Sequence, residues 1–594
     1  MKFAFKPIAI AAALAFIGTA AVASPMKPGT YTAKVNGHNA PLTVEVTVDA
    51  NKILSIKTPD DQESLGVGKV GLKKTADNIL RYQSIGVDAV TGATFSSNAL
   101  KEGVEKCLKQ AGADMKQFTR KAEKHPIHNR TYQADVVVIG GGGAGLASAI
   151  SSMQAGAKKV IVLEKLGYVG GSTNVSEGAL NAVDDQRQKA QGIKDSYETF
   201  YETTMHGGHD KGDPTLVRFL TSHSMDAVNW LESLGVKFND HIGAATGSLG
   251  QRSHYPATPY GNTYIRTFEK VIADSNGKIQ VLLDTPAVKL IQNKSGRVVG
   301  VVGNNFGSKV TVMAKDGVII ATGGFGANVA YRQKVNTGVW KNIKLDNSIG
   351  CTNIQKAAQG QGLFLAQKVG AKLIGLSDIQ IHPCGTPGTG LMENIRTSGR
   401  NRIFVNSDGN RFVNEGAARD VLANAIFQQK GRTYWIVVNK LRYPTPDFKD
   451  RMGASIRNME ALGAVVEAPT LDELAKKTGM NAENLKKAIA DYNAVVSGKA
   501  KDKLGFVANN KDDKQMTEGP WYACRKVPTV HHTMGGIKIN VKSQVINTKG
   551  KVIPGLYAVG EVTGGIHGSN RLGGNAIADI MTFGHAVGPH IVQG

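Results

Sequence analysis

The chain has 594 residues, 41% of them hydrophobic, with 70 glycines, 19 prolines and a formal net charge of +23. That length and apolar content support two to four domains with their own cores and exclude a disordered or collagen-like chain. The positive balance reads as a lysine-rich solvated surface, or as a field that draws in small anions or an acidic electron carrier. With no basic block and no nucleic-acid module, nucleic acid is not expected as a partner.

The chain opens with Lys2 and Lys6, then an apolar run from Ile8 to Val22 that ends in Ala21-Val22-Ala23. A positive start, a short apolar core and a small-residue site make residues 1–23 a secretory signal, cleaved after Ala23. The run is too short to span a bilayer comfortably, and no later segment is apolar enough to span. The expected location is therefore the periplasm. Cys107, Cys351, Cys384 and Cys524 are scattered, so no zinc spacing appears and no metal is expected. No C-x-x-C-H occurs, which excludes covalent c-type haem; free buried thiols are the expectation.

Residues 24–115 read as a small α+β unit. Tyr31–Val35 and Leu42–Val48 alternate like hairpin strands, Ile53-Leu54 begins a third, and Asn98 to Ala111 has helical spacing. Residues 116–132 form a polar, basic linker that includes His125-Pro126. Residues 133–375 show strand–helix–strand patterning punctuated by glycine, as in a doubly wound sheet. Residues 376–528 change character, with an amphipathic helical stretch from Leu471 to Val496, and read as an inserted α+β capping domain. Residues 529–594 return to strands and Gly-rich turns. The fold class is thus α/β: a Rossmann-like domain carrying an inserted cap and preceded by a small α+β unit.

Two motifs carry cofactor chemistry. Asp88-Ala-Val-Thr-Gly-Ala-Thr94-Phe-Ser-Ser97 is a hydroxyl-rich turn before a helix, for which Ser96 or Ser97 is the expected N-cap. The run resembles the flavin-attachment motif of the FMN-binding domain family, D-x-x-[ST]-G-A-T-x-[ST]. That resemblance implies FMN linked through its phosphate to Thr94. Further on, the strand Ala134–Ile139 leads into Gly140-Gly-Gly142-Gly-Ala144-Gly145, a helix, and a second strand ending at Glu164. Gly140 makes the turn, Gly142 admits a pyrophosphate, Gly145 permits close helix packing, and Glu164 is placed to accept from ribose hydroxyls. Ser172-Thr173 and the Gly323 turn suit FAD better than NAD, and an exported enzyme has no pool of free NAD.

The end of the chain is rich in groups suited to a carboxylate. Arg571 offers a planar bidentate donor and His531 a further hydrogen bond. Together with His531–Gly536, His567–Arg571 and Arg411–Glu415 with Arg419-Asp420, these motifs resemble the fumarate reductase–succinate dehydrogenase flavoprotein family from about Ala134 to the C-terminus. The likeness is strongest to its soluble periplasmic branch, which includes flavocytochrome c fumarate reductases and urocanate reductases. It implies that His531 and Arg571 hold a substrate carboxylate, and that His532, Glu561, Ala576 and Ile577 line noncovalent FAD. It implies His382 at the substrate's other end, Gly178 and Gly574 as backbone neighbours, and Arg419 as proton donor. For Arg419 the alternative from local sequence is an ion pair with Asp420 or Glu415.

Between His382 and Asn406 the chain departs from the fumarate pattern. The family's Glu-x-x-Arg proton relay maps onto Glu393 and Arg396 only with two small gaps; ungapped, those places are Ile395 and Ser398. His382, where urocanate reductases carry Tyr, leans towards a second anionic or polar group, whereas the order of signal, FMN unit and FAD domain without haem resembles urocanate reductases. The expected function is a periplasmic reductase that takes electrons from a periplasmic or membrane-anchored cytochrome c through FMN and FAD to an α,β-unsaturated carboxylate. Fumarate is the first expectation, urocanate the second and acrylate- or cinnamate-like acids the third. The rivals are an FAD-dependent dehydrogenase running oxidatively and a non-catalytic electron-transfer flavoprotein.

Overall fold

The computed structural model describes residues 25–121, 126–258, 260–450, 453–508 and 512–593. The leader and His125 lie outside the described residues.

The first unit is a three-stranded antiparallel sheet, Gly29–Asn36, Pro41–Val48 and Ile53–Lys57. Strict alternation turns Leu42, Val44, Val46 and Val48 inward, because successive strand side chains point to opposite faces. Helices Gly68–Tyr82 and Thr94–Gln110 cover that face. The second helix begins earlier than its apolar spacing suggests. Thr94 is its first residue and Ala93 its cap, so Ser96 and Ser97 lie inside the helix and cap nothing. They fasten it instead: the Ser96 hydroxyl donates to Glu63 Oε2 at 2.6 Å, and the Ser97 hydroxyl accepts the Val90 N–H at 3.2 Å. The stretch expected to be linker from residue 116 also differs. Met115–Phe118 makes a helical turn, and Phe118, 1% exposed, belongs to the core of this unit.

The main body is an eight-stranded sheet. Its parallel centre runs Val552–Ala558, Ser308–Ile320, Arg130–Ile139, Val160–Leu163 and Ile279–Leu282. Val136–Ile139 and Val160–Leu163 are buried on both faces, as central parallel strands must be. Helices Gly143–Gln154 and Asn575–Gln593 pack together beside this sheet. The C-terminal helix thereby returns the far end of the sequence to the glycine turn.

The cap is built on an antiparallel sheet: Ile379–Gly385, Trp521–Thr533, Tyr434–Asn439 and Ile403–Val405, with Val465–Ala468 against Trp521–Cys524. The 13-residue strand Trp521–Thr533 crosses position 528 without a break, so the expected division between cap and second FAD segment falls inside one strand. The stretch from Leu471 to Val496 is two helices, Leu471–Thr478 and Ala482–Val496, divided where Gly479 adopts a left-handed φ of +78°. All four cysteines are buried and free. No described helix is long and apolar enough to cross a membrane.

Candidate active site

The glycine turn forms one wall of a cavity open to solvent. Eight of the sequence-selected residues line it: Gly140, Gly142, Ala144, Glu164, Ser172, Thr173, Gly323 and Glu561. Gly145 lies beneath it. A Cβ there would come within 1.9 Å of the Gly140 carbonyl oxygen, which is why the helix can start so close to the strand. Gly142 and Gly323 have no atom within 4 Å of an added Cβ, so both open onto the cavity. Glu164 is buried at the end of its strand and accepts the Gly141 and Leu166 N–H groups at 2.6 and 2.7 Å. Burial raises its pKa. Thr322 Oγ1 and Asn353 Nδ2 line the same cavity without partners. Open glycines, a helix N-terminus and unpaired polar atoms around one slot fit a dinucleotide such as FAD.

At one end of the cavity, cap and main body meet. The register pairs Gln380 with His532 and Ile381 with Val530, which leaves His531 as the extra residue of a β-bulge. Two consecutive histidines are thereby put to different uses. His531 Nδ1 lies 2.7 Å from Thr352 Oγ1, and its ring is 4.8 Å from that of His382. His532 Nδ1 lies 3.7 Å from Glu561 Oε2 and leaves Nε2 unpaired. Glu561 accepts the Thr533 N–H at 3.0 Å, and burial pushes its pKa up to about 7. His382 Nδ1 accepts the Cys384 N–H at 3.1 Å, which leaves its proton on Nε2. Burial, then the nearby cations, hold His382, His531 and His532 well below the usual imidazole range, so all three are neutral.

Two guanidiniums face this group. Arg571, 4% exposed, donates from Nη1 to the Leu572 carbonyl at 3.0 Å and leaves Nε unpaired. Arg419, 8% exposed, starts the helix Arg419–Phe427, donates from Nη1 to Gln380 Oε1 at 3.0 Å and also leaves Nε unpaired. Burial and the charge of Arg571 lower Arg419 to about 9, and burial lowers Arg571 to about 10. The local ion pair is excluded for Arg419: Asp420 pairs with His209 at 3.3 Å and Glu415 with Arg411 at 2.7 Å. Among the described residues, neither Arg419 nor Arg571 has a carboxylate within 4.0 Å ion-pairing distance.

Gln380 was not selected from the sequence, yet it joins the two halves. Its amide donates to Asn570 Oδ1 at 2.9 Å and to the Arg571 carbonyl at 2.7 Å, while its oxygen receives Arg419. Strand alternation from His382 was the signal that could have found it. Thr352, behind His531, left no comparable signal. Gly178 and Gly574 are required by packing. At φ +79° and +89°, a Cβ would meet the Gly261 nitrogen at 3.0 Å and Asn181 Oδ1 at 2.1 Å respectively. Ala576 and Ile577 lie at the start of the C-terminal helix, beyond the residues that line the cavity.

The expected Glu393–Arg396 relay does not form. Asn394 adopts a left-handed φ of +61° between them, in a loop where residues three apart do not share a face. Glu393 turns towards His38 of the first unit, with 3.0 Å between Nε2 and Oε1. Arg396 turns inward and lies 3.6 Å from Glu177, whose Oε1 also receives the Ser398 hydroxyl at 3.4 Å. Ile395 is buried in the cap core. Thr94 is an exposed residue at a helix N-terminus, and the carbonyl of nearby Gly92 receives the Tyr168 hydroxyl of the main body at 3.2 Å.

Residues 135–577 match the FAD binding domain family and residues 37–109 the FMN-binding domain family. An NADH:acrylate oxidoreductase of Vibrio harveyi is 34% identical over 94% of this chain, which spans only 61% of that protein. A urocanate reductase of Eggerthella lenta is 34% identical, covering 94% of this chain and 91% of its own. A cytochrome-type fumarate reductase of Shewanella frigidimarina is 38% identical over 76% of each. The open conformation of a flavocytochrome c3 fumarate reductase superposes with a TM-score of 0.65 at 33% identity, covering 81% of this chain and 83% of that one. The chain belongs to the fumarate reductase–succinate dehydrogenase flavoprotein family, as an oxidoreductase in which an FMN-binding domain precedes the FAD-binding domain.

Proposed function

We propose that the protein reduces the C=C bond of an α,β-unsaturated carboxylate in the periplasm, with electrons that enter at FMN on Thr94 and pass to FAD. The donor is a periplasmic or membrane-anchored cytochrome c. The observation that carries this reading is the pair of buried guanidiniums with no carboxylate at ion-pairing distance among the described residues. A cation taken out of water and left unpaired costs several kcal/mol, and an incoming carboxylate relieves that cost.

Reduced FAD, when bound, supplies the hydride. The chain's own residues do the rest. Arg571 and His531 fix the carboxylate and stabilise the negative charge that develops on it. Arg419 donates its proton to the carbon that does not receive hydride. With a pKa near 9 it is a far better acid than a free guanidinium. The charge of Glu177 reaches Arg419, and Arg396 lies behind Glu177; these two replace the expected Glu393 in returning the proton.

Charge balance favours fumarate. Arg396 has Glu177 at 3.6 Å, whereas among the described residues Arg419 and Arg571 have no carboxylate within 4.0 Å ion-pairing distance. Two such cations fit a dianion better than a monoanion. Urocanate is the second reading, because the Glu177 carboxylate offers an acceptor for an imidazole N–H. With a reduced viologen dye as donor, fumarate is expected to give the highest kcat/KM among fumarate, urocanate, acrylate and cinnamate. Faster urocanate turnover would select the second reading, and no turnover of any unsaturated acid would overturn both.

The proton donor has its own signature. kcat/KM is expected to hold steady up to pH 8 and to fall as pH rises through about 9, because Arg419 acts in its protonated form. Arg419→Lys should lower kcat by about 100-fold or more, within the usual range for a lost general acid. A profile flat to pH 10.5, or full activity of the lysine variant, contradicts the assignment. Thr94→Ala should remove all acid-stable FMN while leaving FAD extractable, read by flavin release on acid precipitation; retained covalent FMN contradicts the attachment site.

A further inference from the structure

The FMN-binding domain touches the rest of the chain on two sides. Against the main body, Val90 and Ala93 pack on Leu166 and Tyr168, and Asn174 Nδ2 donates to the Gly66 carbonyl at 3.3 Å. Against the cap, His38 pairs with Glu393, and Asn458 Nδ2 donates to Gln62 Oε1 at 2.7 Å. His38 is itself held from its own domain: its backbone N–H donates to Glu63 Oε1 at 2.7 Å, and the Phe95 ring, next to Thr94, packs edge-on at 5.4 Å between ring centres. Burial opposes the charge on His38, and Glu393 with Asn39 and Glu63 outweighs it, so the imidazole is a cation at neutral pH.

Glu393 belongs to the irregular loop 386–402, which also carries Arg396. Three residues on, Arg396 faces Glu177, and its charge reaches His382. The Glu393 carbonyl receives the ammonium of buried Lys526, whose charge also reaches His382. Within three residues the loop is thus held by the FMN-binding domain at Glu393 and turned towards Glu177 and His382 at Arg396.

We propose that His38 and Glu393 are positioning residues, through which the docked FMN-binding domain holds loop 386–402 so that Arg396 faces Glu177 and His382. The domain then has a second task besides carrying flavin: it completes the distal wall of the site. The kinetic part of this proposal rests on the reductase reading; the structural part does not.

Full-length holoprotein carrying His38→Ala, Glu393→Gln or both tests it by two readouts. Amide hydrogen exchange within 386–402 should quicken about fivefold in each single variant and no further in the double, since both remove the same contact, worth about 1 kcal/mol for a partly buried pair. KM for the best carboxylate should rise by a similar factor with kcat within about twofold. Covalent FMN content should stay unchanged. Unchanged exchange of 386–402 in both single variants, or additive effects in the double, overturns the proposal. If the parent turns over no carboxylate, the reductase reading fails and the exchange result still decides this one.

Discussion

The structure is organised around two guanidiniums removed from water. Arg571 comes from the turn before the C-terminal helix and Arg419 from the first residue of a cap helix. They are brought close enough for the charge of Arg571 to lower Arg419, and each keeps an unpaired Nε. A fold tolerates such like-charge burial only where something else holds the groups in place and an anion is due to arrive. The holding is visible: Gln380 links Arg419 to the backbone of Arg571 across the boundary between cap and main body. The neutral histidines follow from the same constraint, because further cations there would be unfavourable.

The cap and the Rossmann-like body therefore cannot be read as separate devices. The strand Trp521–Thr533 belongs to the cap sheet, yet its bulge delivers His531 towards Thr352 and His382 and its next residue towards Glu561 at the cavity. The glycine turn positions one end of the dinucleotide cavity; the other end is closed by Glu561, held through Thr533 on that same strand. Reaction geometry is thus set where two domains share one strand, as precise placement of a carboxylate over a flavin demands.

How much was legible in the sequence depended on whether a residue's role followed from local geometry. The FAD cradle was legible because glycines at fixed spacing between strand and helix admit few conformations, and Gly142, Glu164 and Gly323 all line the cavity. His531 and Arg571 were selected through two separate family motifs, and the fold brings them near enough for the charge of Arg571 to act on His531. The loop 386–402 was not, because a single left-handed residue, Asn394, sends Glu393 and Arg396 in opposite directions. Gln380 could have been found by counting two back from His382 along a strand, but nothing local marks Glu177 as the partner of Arg396. The serines of the flavin-attachment motif misled for a related reason: a hydroxyl before a helical run reads as a cap, whereas here the helix begins at Thr94 itself.

The central claim is that the buried pair exists to receive a carboxylate anion. The most direct measurement compares kcat/KM for the best unsaturated acid and for its methyl ester, under the same electron donor. A site built to pair with a charged or hydrogen-bonding group rejects an analogue lacking it by large factors. The account predicts a fall of about 1000-fold or more for the ester. Reduction of the ester within about tenfold of the acid would contradict it.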